Sequence, residues 1–344
     1  MMKAAVVYGK DDIRIEMTPK PSAGEGDLVV KVRSCGICAT DVKILLGNGL
    51  PKDLPTILGH EVAGEIAEIG QGVDGFTAGQ RVAVYPIAVC GECEFCRRDN
   101  HNLCLKEFGL SHGIDGGFAE YVRIPYQIVK AGGVVIIPDH LSFEEAAMAE
   151  PLSCCLAAAR SGPVGPGCTV AIIGAGPMGL LHLKVAKQAG AKVIVADLLE
   201  QRLNQAKEMG ADFTINTSHE DFVQSARQLT GGLGADMVIA SLGIPQIMQD
   251  YLPAVKNGGT FNIFGGPPAG QSMTVDPRWL HYGEIKITGT FASTPQDFQR
   301  AVELIASGEI AVKDMISHRF SLDNLLEAVE KVKNREMIRG VLSI

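Results

Sequence analysis

The segment TVAIIGAGPMGLLHLKVAKQAGAKVIVAD, residues 169–197, constrains this chain more than any other. A short apolar run leads directly into Gly174-Ala175-Gly176-Pro177-Met178-Gly179; a helix-forming stretch follows, and a second apolar run ends in Asp197. The first glycine permits a tight turn, the second lets the backbone approach a pyrophosphate, and the third allows the helix to pack closely on the strand. The helix N-terminus then turns unpaired N–H groups and a positive dipole toward the phosphates. Asp197 can accept hydrogen bonds from both hydroxyls of an adenosine ribose, and its charge repels a 2′-phosphate, which favours NAD over NADP. Arg202 can pair a phosphate or lie against adenine. The bland alternative is a tight βα turn that binds nothing, with Asp197 capping the next segment.

The alternation continues beyond this unit. TVAII, KVIVAD, FTIN, MVIAS, TFNIF and IKITG read as strands, with helical stretches such as GLLHLKVAKQAG and EQRLNQAKEMG between them. Six strands alternating with helices predict an α/β unit built on a parallel, doubly wound sheet. The first half of the chain reads differently. KAAVVY, DIRIEM, DLVVKVRS, VAGEIAEIG, RVAVYPI and FAEYVRIP are short strands broken by glycine and proline, the pattern of an irregular β domain. Between the two halves, SFEEAAMAEPLSCCLAAARSG starts with Ser142 and Glu145 in capping-box spacing, and Pro151 should disturb the turn before it, near Glu150. Two amphipathic helices, TPQDFQRAVELIASG and SLDNLLEAVEKVKNR, and a terminal strand, RGVLSI, follow the last sheet strand and are expected to return to the first domain.

At 344 residues the chain exceeds the usual limit of one core, so two domains are expected. The net charge of −8 argues against nucleic acid or an anionic membrane as the main partner. The N-terminus lacks the apolar core and cleavage site of a signal peptide, and no window is apolar enough to span a bilayer. Nine cysteines without a secretory signal suit a reducing cytosol, where thiolates stay available to metals.

Four of those cysteines, Cys90, Cys93, Cys96 and Cys104, lie in CGECEFCRRDNHNLC. Such close spacing favours a metal over disulfides, and four sulfurs around zinc leave no open position, so this site reads as scaffold. An open site must lie elsewhere. SCGICATD offers Cys35 and Cys38, and LGHEVAGEIAEIGQGV offers His60 and Glu61. Cys38, His60 and a carboxylate supply sulfur, nitrogen and oxygen, all acceptable to zinc, and one thiolate with one carboxylate leaves the centre formally neutral.

The run GHEVAGEIAEIGQGV, the four-cysteine lobe and GAGPMG, in this order and at these distances, resemble the zinc-dependent medium-chain dehydrogenases, the alcohol dehydrogenase superfamily, over essentially the whole chain. The resemblance implies a GroES-like catalytic domain, residues 1–151 and 287–344 with the zinc lobe at 90–104, and a Rossmann NAD-binding domain, residues 152–286. It implies two zinc ions per chain, one catalytic and one structural. Cys38 would be the first ligand of the catalytic zinc, His60 the second, and Glu150 of AEPLSCC the third, as in the polyol branch; Cys154 and Cys155 lie just beyond that acid. Glu61 resembles a carboxylate that enters the zinc shell when water or substrate leaves. Thr40 matches the hydroxyl that bonds the substrate oxygen and starts proton release; its alternative is a helix cap. Asp41 reads as a local cap and Cys35 as packing.

The implied reaction is hydride transfer from a secondary alcohol to NAD. The acid ligand, DGGFAEY and AEPLS resemble sorbitol/L-iditol-type polyol dehydrogenases; threonine 3-dehydrogenase-like and sugar-alcohol-phosphate dehydrogenase-like members share the apparatus. Lys43 and Lys52 keep a phosphorylated substrate open, and KILLGNGLPKDLP and FGGPPAGQ are expected to shape the pocket. A zinc-free or non-catalytic member is the reading from another class. His101, His112, His140, His182, His219, His281 and His318 read as surface or structural, with His112 the candidate for a pocket wall. Members of this family are dimers or tetramers, with IKITG the expected route of sheet extension.

Overall fold

Short strands punctuated by turns build the first stretch of chain in the computed structural model, which describes every residue except Asn48, Leu50 and Lys52. Strands β1 (Met2–Gly9), β2 (Asp12–Thr18) and β3 (Leu28–Gly36) precede helix α1 (Ala39–Leu45). Then come β4 (Thr56–Ile57), β5 (Glu61–Ile69), β6 (Arg81–Val84), β7 (Ile87–Ala88), β8 (Phe108–Leu110), β9 (Gly113–Ile114) and β10 (Tyr121–Ile124). Helix α2 (Tyr126–Lys130), β11 (Val134–Ile136), α3 (Phe143–Ala147) and α4 (Ala149–Ala159) complete this stretch.

Pro151 explains why α3 and α4 are two helices. A proline ring inside a helix collides with the carbonyl four residues earlier, here that of Ala147, where α3 ends. In α4 the same proline occupies the first turn, where its missing N–H costs nothing. Ser142 caps α3 by accepting from the Glu145 N–H at 3.2 Å, and its own hydroxyl donates to the Glu145 carboxylate.

The second stretch alternates strand and helix: β12 (Thr169–Ile173), α5 (Pro177–Gln188), β13 (Lys192–Asp197), α6 (Glu200–Glu208), β14 (Phe213–Asn216), α7 (Phe222–Leu229), β15 (Ala235–Ala240), α8 (Pro245–Tyr251), β16 (Val255–Ile263), α9 (Pro277–Tyr282) and β17 (Lys286–Gly289). The last stretch carries α10 (Pro295–Ala306), β18 (Ile316–Phe320), α11 (Leu325–Lys333) and β19 (Arg339–Ser343). These elements form two units, Met1–Ser153 with Ser293–Ile344, and Cys154–Ala292.

In the first unit β3 is the hub of a sheet ordered β11-β6-β5-β3-β19-β18, with β10 also paired to β3. Leu28, Val29, Val30 and Val32 of β3 are buried, as expected of a strand covered on both faces. The C-terminal strand β19 runs antiparallel to β3, so the end of the chain does return to the first unit. The second unit is a six-stranded, wholly parallel sheet, β14-β13-β12-β15-β16-β17. Its order reverses between β12 and β15, the place where doubly wound sheets open a crevice for a ligand at the carboxyl ends of the strands. No helix among the described residues is long and apolar enough to cross a membrane.

His182 of α5 lies inside this second unit, 1% exposed, its ring edge-on to Phe264 with centroids 4.4 Å apart. Its Nε2 has no partner among the described residues, and burial pushes its pKa down to about 3. The unfolded chain binds this proton near the ordinary value of about 6.5. Stability is therefore complete above that pH and declines as pH falls toward the folded value, by about 2 kcal/mol at pH 5. Urea unfolding at pH 7 and pH 5 checks this: His182→Leu should lose about 2 kcal/mol less than the parent over that interval. Equal losses would remove His182 from the acid sensitivity.

Candidate functional site

The first candidate metal centre lies beside three neighbouring strands of one sheet, β5, β3 and β19. Gly36 ends β3 and pairs with Glu61 of β5 on one side and Val341 of β19 on the other. A Cβ at Gly36 would lie 1.9 Å from Glu61 Oε2, so only glycine lets the Glu61 side chain pass over β3. Beyond it, Glu61 Oε1 accepts from the Arg339 guanidinium of β19, both side chains being buried. Burial alone would push the Arg339 pKa down; the charges of Glu61, Cys38 and Glu150 outweigh it and raise the pKa.

Cys38, His60 and Glu61 each bring one donor atom to this point, all within 4.8 Å of one another. Cys38 is the N-cap of α1, and the Asp41 carboxylate accepts from the Cys38 N–H at 3.0 Å. The other oxygen of the fully buried Asp41 faces Nδ1 of the half-buried His60 at 3.3 Å. Asp41 is thus more than the local cap expected of it: its second oxygen stands beside the imidazole, as carboxylates behind metal-bound histidines do. Burial pushes the His60 pKa down, but Asp41 and Cys38 outweigh it and raise it well above its ordinary value. Metal uptake must displace that proton and weakens as pH falls.

The donor set suits zinc on observation. Glu61 Oε2 is buried with no hydrogen-bond partner, beside a thiol and an imidazole, and a cation would satisfy it. Glu150, at the second position of α4, stands outside the converging group; its charge is felt at Arg339. Thr40 is an exposed residue in the first turn of α1, and Cys38, not Thr40, is the cap. Cys35 is fully buried and outside the group, and burial holds its thiol pKa well above the usual range, as suits packing. The His112 side chain is 73% exposed. Lys43 is exposed near the end of α1, while Lys52 lies outside the described residues. Arg339 escaped sequence reading; its only signal was a charged residue opening an otherwise apolar strand, RGVLS.

The second group is Cys90, Cys93, Cys96 and Cys104, again with sulfurs within 4.8 Å of one another. Cys90 Sγ lies 3.9 Å from Cys96 Sγ and 3.5 Å from Cys104 Sγ. Four sulfurs at the usual Zn–S distance stand about 3.8 Å apart, so the cluster is already the size of a zinc tetrahedron. Backbone N–H groups of Cys90, Cys93 and Lys106 donate to these sulfurs, as thiolates require. Hydrogen bonds from the Cys96 and Leu105 backbone pull the Cys93 pKa down to about 6, while burial pushes Cys96 up to about 12. None of the nine cysteines is in a disulfide.

In the second unit, the glycine turn joins β12 to α5. Gly174 has φ +97°, and a Cβ on Gly179 would meet the Gly174 carbonyl oxygen at 1.8 Å, so helix and turn touch as only glycine permits. Gly176 is the N-cap of α5 and Pro177 its first residue, with Met178 next. Asp197 ends β13; its carboxylate accepts from the Ala175 N–H at 2.8 Å and the Leu199 N–H at 3.0 Å, and Arg202 lies 3.9 Å away. The acid is therefore held beside the turn, as a ribose-binding acid must be.

Residues 24–138 match the alcohol dehydrogenase GroES-like domain, and residues 177–307 match the zinc-binding dehydrogenase model. Sorbitol dehydrogenase of Bacillus subtilis (strain 168) is 36% identical over 96% of this chain and 93% of its own length. The chain belongs to the zinc-dependent medium-chain dehydrogenases. A second relative of this enzyme, D-arabitol-phosphate dehydrogenase of Enterococcus avium, is 33% identical over 94% of this chain and 91% of its own length. A zinc-binding dehydrogenase of Sinorhizobium meliloti 1021, solved with NADP bound, superposes with a TM-score of 0.93 at 33% identity, covering 100% of this chain and 99% of the other. The GroES-like and Rossmann architectures expected from the sequence are those observed.

Proposed function

We propose that this dehydrogenase oxidises a secondary alcohol of the polyol class, of sorbitol or L-iditol type, and passes the hydride to NAD. The observation that carries the reading is the convergence of Cys38, His60 and Glu61 behind an Asp41-anchored imidazole. These three side chains would hold the catalytic zinc, with Glu150 one step behind through Arg339; the four cysteines at 90–104 would hold a second, structural ion. Zinc, when bound, supplies a Lewis acid that makes an alcohol proton easier to lose, and NAD, when bound, accepts the hydride. Asp41 fixes the tautomer and orientation of His60. Arg339 keeps one Glu61 oxygen occupied and leaves the other for a cation. Thr40, exposed two residues after Cys38, offers its hydroxyl to the departing proton. Asp197 receives the adenosine ribose and disfavours a 2′-phosphate.

The unit Met1–Ser153 with Ser293–Ile344 is then the catalytic domain and Cys154–Ala292 the cofactor domain. Strand β17 stands at the edge of its sheet, where a second copy of the chain can extend it into a homo-oligomer. A phosphorylated sugar alcohol is the second reading, favoured by the arabitol-phosphate relative and by exposed Lys43.

The test is a reduction screen of zinc-loaded enzyme with NAD and with NADP, over sorbitol, other polyols, simple secondary alcohols, threonine and sugar-alcohol phosphates. Polyol oxidation is expected, with kcat/KM for NAD about tenfold or more above that for NADP. A preference for the phosphorylated substrates would move the reading to the second class. No turnover on any of them, with about two zincs per chain, would overturn it.

A further inference from the structure

Asn262 is an anomaly in β16. The strand is buried from Thr260 through Asn262, and Asn262 itself is 0% exposed in the interior of a parallel sheet. A valine or leucine there would meet the ordinary demand of such a strand. Instead the amide nitrogen faces three hydroxyl oxygens: Ser161 at 2.9 Å, Thr288 at 3.1 Å and Thr290 at 2.9 Å.

The direction of these bonds is set by the network itself. The Ser161 hydroxyl donates to the Ala158 carbonyl at 2.8 Å, so its oxygen is free to accept, and Thr288 also donates to it at 3.4 Å. Only the nitrogen end of the Asn262 amide can meet such an acceptor. Its carbonyl oxygen is therefore turned away from the cluster, and it is buried with no hydrogen-bond partner among the described residues. An unpaired buried carbonyl is a standing cost that an apolar side chain would avoid. The network is not explained by stability.

Its position suggests what it serves. Asn262 is the penultimate residue of β16, and Thr290 follows the last residue of β17. The Thr290 N–H donates to the Ile263 carbonyl at 3.0 Å, so Thr290 is held to the end of β16 by its backbone and its side chain together. In a doubly wound sheet one mononucleotide lies over each half, outside the carboxyl ends of the strands. Asp197 and the glycine turn belong to the half β12-β13-β14; β15, β16 and β17 form the other. The hydroxyl cluster thus ties together the two outer strand ends of the half opposite the adenosine.

We propose that Asn262 is a positioning residue for the nicotinamide half of the cofactor, acting through Thr290 and Thr288 to hold the carboxyl ends of β16 and β17 in one arrangement. This rests on the reading of the protein as a nicotinamide-dependent dehydrogenase. The test compares two ligands, NADH and ADP-ribose, on the zinc-loaded parent, Asn262→Leu and Thr290→Val, by titration calorimetry and by the fluorescence of bound NADH. ADP-ribose has the adenosine half without nicotinamide. Both variants should bind ADP-ribose within about twofold of the parent, bind NADH about tenfold more weakly, and show a weaker fluorescence enhancement of the bound nicotinamide. Thr290→Val removes one hydroxyl and keeps the shape, so it decides the matter if Asn262→Leu does not fold. Parallel loss of both ligands, which a general loosening of the sheet would cause, or unchanged NADH binding and fluorescence, would overturn the proposal. A parent that binds ADP-ribose and NADH while the variants behave as the parent rejects Asn262 alone; a parent that binds neither rejects the cofactor reading and this assignment with it.

Discussion

His60→Ala is expected to lower kcat by on the order of 10³-fold or more, and to reduce bound zinc from about two ions per chain to about one. The effect on rate corresponds to about 4 kcal/mol of barrier. The imidazole is the nitrogen donor of a group whose other members are a thiol and a carboxylate. Alanine leaves Cys38 and Glu61 without the ligand that Asp41 holds in place, and the four-cysteine cluster, built from separate residues, should keep its ion. Metal analysis and steady-state kinetics on the same preparations decide it, with the melting temperature as a check on folding. Asp41→Ala should give a graded version, losing about 10–100-fold in affinity for the catalytic ion while keeping the ligands themselves. Full turnover with a full zinc complement in His60→Ala would end the assignment.

The second large effect is structural. Arg339→Leu removes the cation paired with buried Glu61 among the described residues, and breaking a buried pair from one side typically costs about 3–5 kcal/mol. Urea unfolding of zinc-stripped protein should show that loss. With zinc bound the loss should shrink, because the carboxylate then has a second cation. Replacing both partners in a Glu61→Leu/Arg339→Leu variant should cost the stripped protein less than Arg339→Leu alone, since no charge is left stranded. A loss below about 1 kcal/mol in stripped Arg339→Leu would mean that water or another group already serves Glu61.

Much of the chemistry was readable along the chain because it sits in short motifs. The glycine turn, Asp197 and the cysteine pairs act over a few residues, and local spacing is all they need. The same holds for Ser142, whose cap on α3 followed from a four-residue pattern. Other features were silent for the opposite reason. Arg339 lies 278 residues from Glu61 and meets it only because β19 joins β3 after the chain has built the whole second unit. The one local signal, a charge opening the strand RGVLS, says nothing of the partner it meets. Asp41 looked like a cap and is one, but its second oxygen finds His60, at the entrance to β5.

Residue types and spacing alone were enough to pick out two clusters that could hold a metal, a glycine turn between strand and helix, and the alternation that makes a parallel sheet, because each rests largely on near neighbours. Which carboxylate joins Cys38 and His60 was a different kind of question. Glu150 and Glu61 are equally good oxygen donors as residues, and it was the family resemblance that put Glu150 third in the shell and Glu61 in reserve. The sheet brings Glu61 to the thiol and the imidazole: Gly36 has no side chain, Glu61 passes over it, and its donor atom lies within 4.8 Å of those of Cys38 and His60. Strand register and the free space above one glycine are tertiary quantities, and they placed that carboxylate.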